Sequence, residues 1–195
     1  LESALITISG GTIDLTTADD GVNVSGGNDA SGTTTAQVPG GRGGPGGAPD
    51  TFAEGSGMLT ITGGTIVVDS GGDGLDSNGS FEMTGGTAVV SGPTDNGNGS
   101  LDVDGTFTVS GGVLIPVGSA GMAMAPTDGE GPISARFGAT QPAGTVVHVV
   151  SADGDVIASF VSTKTFSSVV LSSPELVAGE SYSVHTGGSV AGTTL

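Results

Sequence analysis

Residues 73–118 read DGLDSNGSFEMTGGTAVVSGPTDNGNGSLDVDGTFTVSGGVLIPVG, and this stretch contains one pattern twice. A short segment with an inward apolar residue and an acidic neighbour leads into alternating residues, a Gly-Gly pair, and more alternation. Aligning the chain on such pairs yields four copies: ALITISGGTIDLTT, MLTITGGTIVVDS, FEMTGGTAVVSG and FTVSGGVLIPVG. The pairs begin at Gly10, Gly63, Gly85 and Gly111, so their spacings are 53, 22 and 26 residues. Spacing in the low twenties fits one turn of a β-solenoid, and the first interval fits one turn plus an insertion.

Apolar residues hold fixed places in the copies. Ile6 and Ile8, Leu59 and Ile61, Phe81 and Met83, and Phe107 and Val109 precede the pairs, while Ile13 and Leu15, Ile66 and Val68, Ala88 and Val90, and Leu114 and Pro116 follow them. Period-two alternation of this kind places one set inside and leaves Thr and Ser outside. A strand, a glycine corner and a second strand are therefore expected in each coil. The third strand reads GVNVSG at 21–26, GLDSNG at 74–79 and SLDVDG at 100–105. With Val22, Leu75 and Leu101 inward, Asn23, Asp76 and Asp102 point outward and stack from coil to coil. The expected fold is all-β: a right-handed parallel β-helix of about 22 residues per coil over residues 1–126. A Gly/Pro-rich loop, containing VPGGRGGPGGAPD, is inserted at 27–57.

Beyond Pro126 the texture changes to short strands separated by turns: ISARFGA, TVVHVVS, DVIASFVS, SSVVLSS and SYSVHTGG. Residues 127–195 are expected to form a small antiparallel cap over the last coil, whose strand edge and core would otherwise be open. Met122 and Met124 would plug that end of the core, while His148, His185 and Tyr182 read as cap residues.

Carboxylates gather where the second strand of each coil turns into the third. Asp19 and Asp20 lie in one coil, Asp73 and Asp76 in the next, and Asp95, Asp102 and Asp104 in the third, where Asn98 or Asp95 could fill the equivalent place. Neighbouring strands are ~4.8 Å apart. Two bare carboxylates at that distance repel by about 0.9 kcal/mol in a water-like dielectric and ~3.5 kcal/mol at an effective dielectric of about 20. Calcium, with oxygen ligands at roughly 2.3–2.6 Å, would relieve this. The expected metal ligands are Asp19, Asp20, Asn23, Asp73, Asp76, Asp95, Asn98, Asp102 and Asp104. Magnesium demands a tighter octahedron, and zinc would lack ligands in a chain with no cysteine and two separated histidines. The competing reading is that Asp, Asn and Gly are ordinary turn formers and that exposed aspartates keep a β-rich protein soluble.

Charge narrows the partners. Three Lys+Arg against 20 Asp+Glu leave a formal charge of −17, which excludes nucleic acid as a leading ligand and favours cations. No apolar run of about 18 residues is present, so membrane insertion is not expected. The immediate start on a repeat suggests part of a larger secreted chain.

The segments SGGTIDL, TGGTIVV, DGLDSNGSFEMTGGTAVVSGPTDNGNGSLDVDGTFTVSGG, GSAGMAMAP, KTFSSVVLSSPEL and GESYSVHTGG resemble the carbohydrate-binding β-helix family of secreted bacterial proteins. Members bind cellulose and acidic sugars, are built like pectate lyases and are regarded as noncatalytic. The resemblance implies calcium at aspartate-bearing turns, affinity for plant-wall polysaccharide such as polygalacturonate, whose uronate carboxylates would complete the metal shell, and an extracellular or cell-surface location. A lyase would need a basic residue near the ladder, yet Arg42 falls in the inserted loop and Arg136 and Lys164 in the cap. A structural or adhesive surface solenoid stabilised by calcium is the alternative. Ice binding is disfavoured because the threonine column Thr12, Thr65, Thr87 ends at Val113.

Overall fold

A computed structural model describes residues 1–24 and 57–189. The described chain is all-β, and no helix in it is long and apolar enough to cross a membrane. Nearly all of the inserted loop, with Arg42, lies outside the described residues, as does the end of the cap at 190–195.

Long and short strands alternate through the first part: β1 (Leu5–Thr17), β2 (Val22–Val24), β3 (Met58–Ser70), β4 (Leu75–Ser77), β5 (Ser80–Ser91), β6 (Leu101–Val103) and β7 (Phe107–Gly118). The long strands pair in parallel in the order β1-β3-β5-β7, and the short ones in parallel as β2-β4-β6. Their register matches the aligned repeats. Ile6 stands beside Leu59, then Phe81, then Phe107; Ile13 stands beside Ile66, Ala88 and Leu114. Like therefore stacks on like, and the Phe81 and Phe107 rings lie 5.0 Å apart at 16°. These columns form one continuous core, fully buried from Leu59 to Leu114.

Each Gly-Gly pair lies within one long strand rather than breaking it into two. The second glycine takes a positive φ, 84° at Gly11, 92° at Gly64, and 87° at Gly86 and Gly112. Pairing slips between β1 and β3 and between β5 and β7 beside these pairs, so the bend is made by a bulge inside a continuous ladder. The first glycine is needed for a different reason. A Cβ at Gly63, Gly85 or Gly111 would stand 2.9, 2.7 or 2.5 Å from a carbonyl oxygen of the preceding repeat, whereas nothing lies within 4 Å at Gly10.

Residues Leu1, Glu2 and Ser3 extend the short ladder: Glu2 bridges Asn23 in parallel, and Ser3 N donates to the Asn23 carbonyl at 3.2 Å. LES at the start thus occupies the same structural place as LDS at 75–77.

The remaining strands are β8 (Asp128–Gly129), β9 (Ile133–Gln141), β10 (Val146–Ser151), β11 (Val156–Val161), β12 (Phe166–Leu171) and β13 (Tyr182–Thr186). β8 pairs in parallel with the first half of β7 at Thr108 and Val109. β12 pairs antiparallel with its second half at Val117 and Gly118, and β9 pairs with β12. Both halves of the β7 edge thereby acquire partners.

A separate antiparallel sheet, β11-β10-β13, covers the outer face of this region. Between the sheets lies a second core of Ile115, Val117, Val147, Val149, Phe160, Phe166 and Leu171, with Val89 and Val113 packed against it. Val113 ends the threonine column because the outer face here is roofed by the cap. Lys164 fastens that roof two repeats away. Its Nζ lies 2.7 Å from Asp69 Oδ1 and 2.5 Å from the Ser70 carbonyl, while Thr163 Oγ1 donates to Asp69 Oδ2 at 2.9 Å.

Candidate metal centre

The turns from long to short strands come together on one side of the stack. Asp19, Asp20, Asp73, Asp76, Asn78, Asn98 and Asp102 line one open hollow of about 390 Å³. Parallel pairing makes the arrangement: Asn23, Asp76 and Asp102 occupy the same position on β2, β4 and β6. Asp20 and Asp73 occupy the turns leading into β2 and β4. Gly72 completes the floor, since a Cβ there would come within 2.3 Å of Asp20 Oδ1 and 3.0 Å of Asp19 Oδ1.

Carboxylate oxygens here also stitch one turn to the next. Asp20 Oδ1 accepts the Asp73 N–H at 2.8 Å, and Asp73 Oδ1 accepts the Gly99 N–H at 2.5 Å. One repeat further, Asn96 Oδ1 accepts the Gly121 N–H at 3.0 Å. Each of these side chains satisfies a backbone donor in the following turn. The Asn23 amide donates to Asp20 Oδ2 at 3.1 Å.

Crowding shows in the protonation equilibria. Burial pushes the Asp73 carboxyl above its ordinary range; the Gly99 N–H opposes this, and the negative charges of Asp102, Asp20 and Asp19 add to it. Asp102 is raised by burial first, then by Asp104 and Asp20. The hollow is therefore a place where negative charge is concentrated and partly desolvated.

Six of the nine expected ligands meet at the hollow: Asp19, Asp20, Asp73, Asp76, Asn98 and Asp102. Three do not line it. Asn23 keeps its register on the outward face, between the core residues Val22 and Val24, but it is only 7% exposed, flanked by Glu2 on one side and Asp76 on the other, and does not line the hollow. Asp95 is exposed and turns back on its own loop, where Oδ1 accepts the Gly97 N–H at 2.7 Å. Asp104 is exposed beyond β6 and reaches the site only through its charge on Asp102. Asn78, on the turn after β4, is a lining residue that the alternation argument passed over because it belongs to no strand.

The donor chemistry fits a hard cation, because every lining side chain offers oxygen. The side chains as placed are spread around the hollow: among the described residues no three Asp, Glu, His or Cys groups converge as a metal shell. Among the described residues no basic side chain lines the hollow either. Arg136 lies on β9, and Lys164 is engaged with Asp69 and Ser70.

No protein-family model matches this chain, and no curated protein or solved structure matches it.

Proposed function

We propose that this chain is a noncatalytic, calcium-binding, polysaccharide-binding protein of the extracellular space or bacterial cell surface, built on a right-handed parallel β-helix. The two parallel ladders with a unit repeat of 22 residues, from Leu59 to Phe81, and 26 residues, from Phe81 to Phe107, support the coiled architecture. The observation that carries the functional reading is a hollow lined, among the described residues, by Asp and Asn alone, drawn from three successive repeats.

Asp76 and Asp102 from adjacent short strands, with Asp19, Asp73, Asn78 and Asn98 around them, are the residues that would hold the ion. A bound divalent cation would offset the burial, and with it the repulsion, that raises Asp73 and Asp102, and would offer open coordination positions to sugar oxygens or uronate carboxylates. Catalysis is not part of this reading, because a calcium-dependent lyase needs a base at the sugar and, among the described residues, no Arg or Lys lines the hollow.

A second reading has its own support. The bonds from Asp20 to Asp73 N and from Asp73 to Gly99 N suit aspartates kept to staple turns in a structural or adhesive surface scaffold. Calorimetric titration with calcium, followed by retention on polygalacturonate and on cellulose with and without chelator, separates the two. Calcium binding together with chelator-sensitive retention is the expected result. Calcium binding without retention on either polymer would favour the scaffold, and release of unsaturated, ultraviolet-absorbing sugar products would establish a lyase.

A further inference from the structure

The chain has two histidines, 37 positions apart, and strand pairing sets them directly opposite each other: His148 of β10 faces His185 of β13. Residues opposed in an antiparallel ladder share a face, with Cβ atoms about 4.5–5.5 Å apart. That face is the outer one, since the alternate residues Val147 and Val149 are fully buried in the second core.

Both rings are held at one nitrogen. His148 Nδ1 lies 2.7 Å from Ser159 Oγ, and Ser159, opposite it on β11, is itself only 8% exposed. His185 Nε2 lies 2.9 Å from Ser183 Oγ. When each serine oxygen accepts the ring N–H, the lone pairs lie on His148 Nε2 and His185 Nδ1. Glycine at 188 leaves room beside the first of these, because a Cβ there would stand 3.7 Å from His148 Nε2.

We propose that His148 and His185 form a two-imidazole site for a divalent transition ion, Zn²⁺, Ni²⁺ or Cu²⁺, on the outer face of the cap sheet. Metal–imidazole bonds of about 2.0–2.1 Å at a tetrahedral angle put the two nitrogens roughly 3.4 Å apart. Directly opposed residues with Cβ atoms about 4.5–5.5 Å apart place two imidazoles within reach of that separation. Serine bonds on the far nitrogens hold the ring orientation, and with the serine oxygens accepting the ring N–H the near nitrogens are left to bind the ion. The remaining coordination positions open to solvent, where water or an outside ligand would complete the shell. Imidazole selects a different class of ion from the oxygen-lined hollow, so the two sites do not compete. The charge of −17 raises the local concentration of either cation.

The test is titration of the whole chain with Cu²⁺ or Ni²⁺ in excess Ca²⁺, which occupies carboxylate sites, read by calorimetry and, for Cu²⁺, by electron paramagnetic resonance. One tight ion per chain with imidazole nitrogen coupling is expected. Affinity should fall roughly tenfold or more in His148→Ala and in His185→Gln, and by a measurable amount in Ser183→Ala. Asp76→Asn should leave it unchanged. His185 is exposed, so its variant retains the fold even if His148→Ala is poorly behaved. Unchanged affinity in His185→Gln, or a copper spectrum without imidazole nitrogen, would overturn the site and show a pair that only packs.

Discussion

The two kinds of glycine in the repeat make opposite predictions under the same substitution. At Gly111 a methyl group would meet the Thr84 carbonyl at 2.5 Å, so Gly111→Ala should destabilise the fold by about 1–3 kcal/mol. Gly10→Ala should be close to neutral, because its surroundings are open and its φ is not positive. Urea denaturation of the two variants checks the contrast; equal losses would mean that strand conformation, not close approach, sets the requirement. Asp73 behaves differently, since its carboxyl is raised above the ordinary aspartate value, burial being the main cause. A carboxyl with a raised folded-state pKa binds its proton more tightly when folded. Its contribution to stability therefore falls as pH rises from about 4 through the raised value, and recovers as pH is lowered. Asp73→Asn keeps an oxygen for the Gly99 N–H while removing the charge. In chelator it should raise the melting temperature by about 2–4 °C for each kcal/mol relieved and flatten the pH dependence. Lower melting at neutral pH would show that the charge is already compensated.

At the scale of strands, the apolar columns were legible because period two and like-on-like stacking leave a direct trace in sequence. The roof over β7 was not. LIPV at 114–117 is buried on both faces, with Leu114 and Pro116 toward the first core and Ile115 and Val117 toward the second. Such a continuous apolar run marks a strand covered on both sides, but alternation counted only the inward set. Leu1, Glu2 and Ser3 are a lone three-residue rung with no flanking turn of the repeat before them, too short to show periodicity. Ile115→Ala should cost about 2–5 kcal/mol by opening a cavity under the cap. The Lys164 latch is a second handle on the same interface. Lys164→Met should cost about 1–2 kcal/mol, and a double-mutant cycle with Asp69→Ala should show positive coupling. Additive losses would mean that Lys164 and Asp69 act separately.

For the molecule as a whole, the charge of −17 and the parallel stacking pull against each other. Ordered repetition puts carboxylates from successive repeats around one hollow, and monovalent salt from about 0.01 M to about 1 M should raise stability by screening them. Millimolar calcium should do more than the same ionic strength of sodium, because binding to the folded chain alone adds stability by mass action. The position of Asp73, Asp76 and Asp102 was readable from repeat register, whereas turn residues have no periodicity to betray where they lean. That is why Asn78 joins the hollow and Asp95 and Asp104 stay outside it. Diffraction from crystals soaked in a lanthanide, a calcium mimic with strong anomalous scattering, locates the ion. An anomalous peak is expected in the hollow between the turns of β4 and β6, within bonding distance of Asp76 and Asp102, and should be lost in Asp76→Asn/Asp102→Asn. A hollow containing only water while peaks appear elsewhere on the acidic surface would contradict calcium binding there.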